Sequence, residues 1–322
     1  MNLQPVSSAL ALFLASGLLP RTFAHEPFGE PAVSITTEGD FRVIRSNGLP
    51  DHKPGEFPNR GNPNSIAAQN YTFRVALYPR VAEQPTFGGG AFFGVAVNGV
   101  PFEAGTAEFW NGQRRWNYEA MSGFIDLGLD DHHAHVQPGG VYHYHGLPTG
   151  LIAKLGGDGS AMRLVGYAAD GFPIYTSFAH ENAKDAHSAL RKLRSSYRLR
   201  TGERPGAPNG PGGKYTGEFT ADFEYVPGSG DLDECNGRFG VTPENPEGVY
   251  YYSLTEEFPH VPRFWRGTPD NSFLKHGPRP GRGAGMGLGP GARGPRRGPP
   301  PAGFPPPVRP FPSGSDPFAP QP

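Results

Sequence analysis

The sequence predicts a mainly β fold: a single sandwich-like or barrel-like domain with a duplicated strand unit and one helix, followed by a disordered tail. Three observations carry this. Runs of β-branched and aromatic residues are short and bounded by turn signals, and only one stretch has helical composition. Gly and Pro, 85 of the 322 residues, gather at the C-terminal end. From Pro278 to Pro322 they fill 25 of 45 positions, so the core has to lie before that point. The domain is therefore expected over 25–277, with a signal peptide over 1–24 and the Pro/Gly/Arg-rich tail over 278–322.

Taking the elements in order, Ala9 to Leu19 is an apolar run closed by Pro20, and Thr22-Phe23-Ala24 places small residues where a signal peptidase cuts. The run is too short to cross a bilayer, so export without a membrane span is expected, to the periplasm or the cell exterior. Arg21 is the one charge before His25, and the tail carries six Arg against Asp316. Of the formal net charge of −1, the middle therefore holds −7. A domain that acidic has no electrostatic reason to bind nucleic acid, whereas the basic tail can contact anionic surfaces. No specific partner is legible. Cys235 is the only cysteine, which excludes an intrachain disulfide.

Strands are expected at Tyr71–Tyr78 and at Ala91–Val97, the second running into the Asn98-Gly99 turn signal. Leu164–Ala168 and Phe172–Tyr175 flank Ala169-Asp170-Gly171 and read as a hairpin. Ala179–Leu193, with Ala183, Ala186, Leu190 and Leu193 at helical spacing, is the expected helix. An internal echo supports two similar β halves. Leu129-Asp130-Asp131 and then Gly140-Val-Tyr-His-Tyr-His145 is matched by Leu232-Asp233-Glu234 and then Gly248-Val-Tyr-Tyr-Tyr-Ser253. The second copy has Tyr251 and Ser253 where the first has histidines.

Five of the eleven histidines lie between His132 and His145. Alternation along a strand puts His143 and His145 on one face, with Tyr142 and Tyr144 on the other. His133 and His135 share that spacing on the preceding arm, and Pro138-Gly139-Gly140 supplies a reversal between them. With an odd loop, His135 opposes His143 and His133 opposes His145, so four imidazoles line one patch. Imidazole nitrogen suits a borderline transition ion, Zn²⁺ or Cu²⁺, with Asp131 as a further ligand and His132 and Asp130 as lesser candidates. Two other readings stay open. The histidines can form a structural hydrogen-bond network in a non-metal envelope binding or scaffold module, or a His/Asp acid–base cluster in a hydrolase-like enzyme.

Gly140-Val-Tyr-His-Tyr-His-Gly-Leu-Pro148, together with Asn98-Gly-Val-Pro-Phe102 and Asp170-Gly-Phe-Pro-Ile-Tyr175, resembles the YHYH-domain family. The resemblance runs from about Asn47 to Phe273. It implies an exported, mostly bacterial protein of poorly defined activity, and a second cysteine where Phe264 stands here, so the corresponding cross-link is not expected in this chain. Two weaker features complete the reading. Asp231 and Asp233, near Asn236 and Gly237, gather oxygen atoms that could hold Ca²⁺, although an Asx-turn network explains them more simply. Cleavage after Ala24 would expose His25 as an amine–imidazole chelate for Cu²⁺. No Gly-x-Ser-x-Gly elbow, phosphate-binding loop, dinucleotide fingerprint or zinc-protease helix motif occurs, which removes the commoner enzyme classes.

Overall fold

Residues 28–275 are described by the structure, a computed structural model; the expected signal peptide with His25, and the expected tail, lie outside the described residues. In chain order the strands begin with an antiparallel three-stranded sheet of β1 (Val33–Glu38), β2 (Phe41–Ser46) and β3 (Tyr71–Ala76). β4 (Thr86–Phe87), β5 (Gly94–Ala96), β6 (Pro101–Phe102), β7 (Ala134–Gln137) and β8 (Val141–Tyr144) follow. Next come helix α1 (Thr149–Lys154), β9 (Leu164–Ala168), β10 (Pro173–Tyr175), β11 (Phe178–His180), β12 (Leu190–Lys192) and β13 (Tyr197–Leu199). β14 (Phe223–Tyr225), β15 (Gly237–Thr242), β16 (Asn245–Ser253) and β17 (Phe264–Trp265) complete the set. Among the described residues the fold is mainly β, with one α-helix and no closed barrel.

The centre is an open eight-stranded sheet in the order β15-β16-β10-β9-β5-β6-β8-β7. That order is a palindrome if β5, β6, β7 and β8 are matched to β9, β10, β15 and β16. The matching extends to register. β6 runs parallel to β8 through Phe102 and Tyr144, as β10 runs parallel to β16 through Ile174 and Tyr252. At the middle, Gly94 pairs Ala168, Val95 pairs Tyr167 and Ala96 pairs Gly166, so the equivalent residues exchange places across a local two-fold. The turns match too, since Gly99 N–H donates to the Ala96 carbonyl as Gly171 N–H does to Ala168. Asn98-Gly-Val-Pro-Phe102 and Asp170-Gly-Phe-Pro-Ile174 are therefore the first members of each repeat, and the sequence echo is the second.

The echo has a physical core. Asp130 Oδ1 accepts from the N–H groups of His132 and Ala134, and Asp233 Oδ1 accepts from those of Cys235 and Gly237, at the same offsets of two and four residues. The hydroxyl of Tyr142 donates to Asp130, and that of Tyr250 donates to Asp233. Burying a tyrosine removes a large apolar ring from water but requires a partner for its hydroxyl. These aspartates supply it. Tyr142, Tyr144, Tyr250 and Tyr252 thus enter the main core beside Phe93, Phe102 and Phe172.

One element differs from expectation. Ala179–Leu193 is not a helix but parts of β11 and β12, paired from Phe178↔Lys192 to His180↔Leu190. Asn182, Asp185 and Ser188 hydrogen-bond locally to the backbone between the strands, which offers the chain a turn in place of a helix. The one α-helix is instead α1. Cys235 is fully buried as a free thiol, and burial pushes its pKa up. Phe264, where the resemblance implies a second cysteine, pairs with Phe87.

A candidate three-histidine metal centre

The β7–β8 hairpin closes through Pro138-Gly139-Gly140, with both glycines at positive φ. A side chain on Gly140 would stand 2.7 Å from the Ala67 backbone nitrogen, so this tight reversal tolerates only glycine. The register is the odd one: His135 opposes His143. His143 and His145 are buried, and His135 is half-buried. Their Nε2 atoms converge, with His143 to His145 at 3.0 Å and His145 to His135 at 3.2 Å. All three lie within 4.8 Å of one another and form a group able to hold a metal ion.

The other ring nitrogens fix the tautomers. His135 Nδ1 lies 2.9 Å from the Leu127 carbonyl and His143 Nδ1 lies 3.1 Å from the Val141 carbonyl. Carbonyl oxygens only accept, so both Nδ1 atoms carry the proton. The Nε2 atoms of His135 and His143 therefore carry no proton of their own, and the Gln137 amide stands 3.4 Å from that of His143. His145 turns its Nε2 to the other two rings, 3.0 Å from that of His143 and 3.2 Å from that of His135. Protonating a ring would relieve the contact, but burial and then the neighbouring imidazoles hold the pKa of His143 and His145 well below the ordinary value. Burial likewise lowers that of His135.

Beside this trio stands Glu103, just after β6. Its carboxylate lies 3.6 Å from His143 Nε2, pairs with Lys275 and accepts from the Gln137 amide. Burial pushes the Glu103 pKa up and Lys275 opposes that shift. Lys275 also sits over the Phe92 ring. The Tyr71 hydroxyl is buried with no hydrogen-bond partner, and Glu103 contributes to its raised pKa. Sequence reasoning missed Glu103, Gln137 and Lys275. Gln137 was findable, since it follows His135 by two positions on the same strand face. Glu103 needs the parallel β6–β8 pairing, which no local pattern announces.

The remaining sequence candidates are placed elsewhere. His133 precedes β7 at φ 55°, which breaks the strand alternation and sends its ring to the Leu147 carbonyl, so it does not join the trio. Its equivalent in the second repeat, Asn236, has φ 56°, and asparagine at that position is the signal that a left-handed residue, not a ligand, belongs there. Asp130 is occupied as a turn acceptor, by His132, Ala134, Tyr142 and also the Gly55 N–H. Asp131 is exposed on the same turn. His132 uses both nitrogens, toward Thr149 and the Lys53 carbonyl, on the opposite side of the hairpin beside His52. Asp231 is taken by Arg191 and by the Arg194 N–H, and Asp233 by its Asx turn and Tyr250, so their oxygens do not converge for Ca²⁺.

Compared with known proteins, residues 72–267 match the family model described as YHYH protein. No curated protein and no solved structure matches the chain.

Proposed function

The chain belongs to the YHYH protein family, and we propose that its domain binds a single transition-metal ion, Zn²⁺ or Cu²⁺, through Nε2 of His135, His143 and His145. One observation carries this reading: the three imidazole Nε2 atoms converge, and on His135 and His143 the proton is committed to a backbone carbonyl through Nδ1, so lone pairs are aimed at one point where a cation would satisfy them together. The distances agree. Ligands about 2.0–2.1 Å from a tetrahedral ion stand roughly 3.3 Å apart, close to the 3.0 and 3.2 Å separations here. A structural hydrogen-bond network, with a proton on His145 Nε2 shared toward the other rings and the Gln137 amide beside His143, is the reading that the titration below has to exclude.

Three protein ligands leave one position of a tetrahedral ion for water or another small ligand, and such an ion would act as a Lewis acid there. Glu103 is placed to accept a proton or a hydrogen bond from a group in that position, while Lys275 and Gln137 hold its carboxylate. Imidazole donors favour Zn²⁺ and Cu²⁺ over Ca²⁺ or Mg²⁺, which want oxygen. We further place the protein outside the cytoplasm, on the strength of the apolar run Ala9–Leu19 and the small residues before His25.

Calorimetric titration of the metal-free full chain tests the proposal. One Zn²⁺ or Cu²⁺ per chain is expected, with binding lost in His143→Ala/His145→Ala and kept in His180→Ala, whose ring bonds the Ser188 carbonyl outside the trio. Equal affinity in the double variant and the wild type would end the metal reading.

A further inference from the structure

The two large sheets have four edges, and the chain closes three of them. At β7 the side-chain amides of Asn62 and Asn64 donate to the Val136 carbonyl. At β15 the Val241 N–H donates to the Ala183 carbonyl, and at β3 the Arg74 N–H donates to the Ser272 hydroxyl. The fourth edge, β1, stays open. Because the Asn47 N–H bonds the Ala32 carbonyl, Ser34, Thr36 and Glu38 turn their main-chain groups to β2, and Val33, Ile35 and Thr37 turn theirs outward. Among the described residues nothing pairs with them. Every residue of β1 is exposed, Val33 to 42% and Ile35 to 43%. Ile35 shares a face with Ile44 and Phe73, both buried, so an apolar row that begins in the core runs out into water. No lysine, proline or bulge blunts this edge, although such devices usually keep an open strand from pairing.

What fits is a second strand with the same outward groups and an apolar face on the same side. β1 itself meets that description. In an antiparallel pair centred on Ile35 the outward residues meet one another, Val33 with the partner's Thr37 and Ile35 with the partner's Ile35, and all their N–H and C=O groups are used in about six main-chain hydrogen bonds. The row Phe73, Ile44, Ile35 then continues into its own copy, while on the opposite face Ser34 meets the partner's Thr36. Like charges do not oppose, since Glu38, held by Arg45, falls beside the partner's Ala32. Arg42, Arg45 and Arg74 on this sheet outnumber Glu38 and Asp40, so this side escapes the negative charge of the domain as a whole. The chain's own tail is a poor strand for the same place, with Gly or Pro at 25 of the 45 positions from Pro278.

We propose that two copies of this chain associate through β1, antiparallel and centred on Ile35, joining their three-stranded sheets into one. The contact is short, so the dimer is weak and reversible, with a Kd on the order of 10 µM.

Sedimentation equilibrium of the full chain over about 1–100 µM tests this. The wild type should pass from monomer to dimer across that range. Ile35→Lys, which sets like charges face to face at the centre, should stay monomeric. Val33→Pro, which removes one outward N–H at the first residue of the strand, should weaken association about tenfold. Phe124→Lys, at an exposed ring elsewhere, should associate as the wild type does, and thermal melting checks that each variant is folded. Cysteines read the register. Native Cys235 is buried, so a Ser34→Cys chain mixed with a Thr36→Cys chain should give a disulfide-linked dimer on oxidation, and either chain alone should not, because like positions stand beyond disulfide reach. A wild type that stays monomeric throughout, association that survives Ile35→Lys, or a mixture that fails to cross-link would each overturn the proposal. So would a monomer whose Val33, Ile35 and Thr37 amides are protected from exchange, since another segment would then cover the edge.

Discussion

The two halves of the central sheet have one backbone plan and two solutions for the polar groups it buries. Where the first places His135, His143, His145 and Glu103, the second places Arg238, Tyr251, Ser253 and Tyr175. The second set closes on itself and its neighbours. Arg238 Nε donates to the Tyr251 hydroxyl at 2.7 Å, Ser253 donates to the Thr176 carbonyl, and Tyr175 donates to Glu244. The first set brings three imidazole Nε2 atoms face to face, two of them fixed as acceptors. A scaffold can thus carry a site in one copy and a satisfied core in the other without changing a strand, because what differs is whether donors and acceptors balance.

The largest expected effect tests the shared scaffold. Asp130→Ala and Asp233→Ala each strip acceptors from two backbone N–H groups and a buried tyrosine, and each should lower stability by about 3 kcal/mol or more in urea denaturation. Metal affinity should fall with Asp130→Ala alone, since that turn leads into His135. Equal losses of affinity in both variants would break the distinction between the halves.

Acid should separate the halves next. The histidines of the first half have folded pKa values below the unfolded value near 6.5, so the unfolded chain takes up protons first and their contribution is lost as pH falls below about 6.5. Asp170 and Asp233 in the second half are raised by burial from 3.8 to about 6, which has the opposite sign: they favour the folded state as pH falls from about 6 toward 4. In the metal-free protein these three histidines pull the melting temperature down from pH 7 to pH 5, against the opposite pull of Asp170, Asp233 and the raised Glu103. In His143→Gln/His145→Gln the slope should flatten or reverse. A slope equal to that of the wild type would contradict the assignment.

Smaller effects sharpen the site's edge. Glu103→Gln should weaken metal binding about tenfold, as loss of an outer carboxylate does, while Tyr175→Phe at the equivalent position should leave it unchanged in the same titration. His132→Gln should change stability by about 1 kcal/mol or less and leave metal affinity alone, because both its nitrogens serve Thr149 and Lys53.

Much of this was legible in the sequence. The hairpin and the shared face of His143 and His145 follow from period-two alternation and the Pro-Gly-Gly turn, whereas the odd register that brings His135 to that face is one of two the sequence allows and is seen only in the pairing of the strands. The repeat showed itself as Leu-Asp-acidic followed by Gly-Val-Tyr. Its other member, Asn98-Gly-Val-Pro against Asp170-Gly-Phe-Pro, was equally visible but stayed unpaired, because strand order in a sheet is not a local property. His133 failed because one left-handed residue shifts a side chain off the face that alternation assigns it, and Ala179–Leu193 failed because Asn182, Asp185 and Ser188 outcompete helix propensity. Glu103 and Lys275 reach the site from 32 and 140 residues away from His135 along the chain, beyond any motif window.

The central claim is that one ion sits on three Nε2 atoms, and X-ray absorption on the zinc- or copper-loaded full chain measures that shell directly. Three imidazole nitrogens at about 2.0–2.1 Å with one lighter or solvent ligand is the expected result. A shell with four imidazoles, or with none, would contradict it.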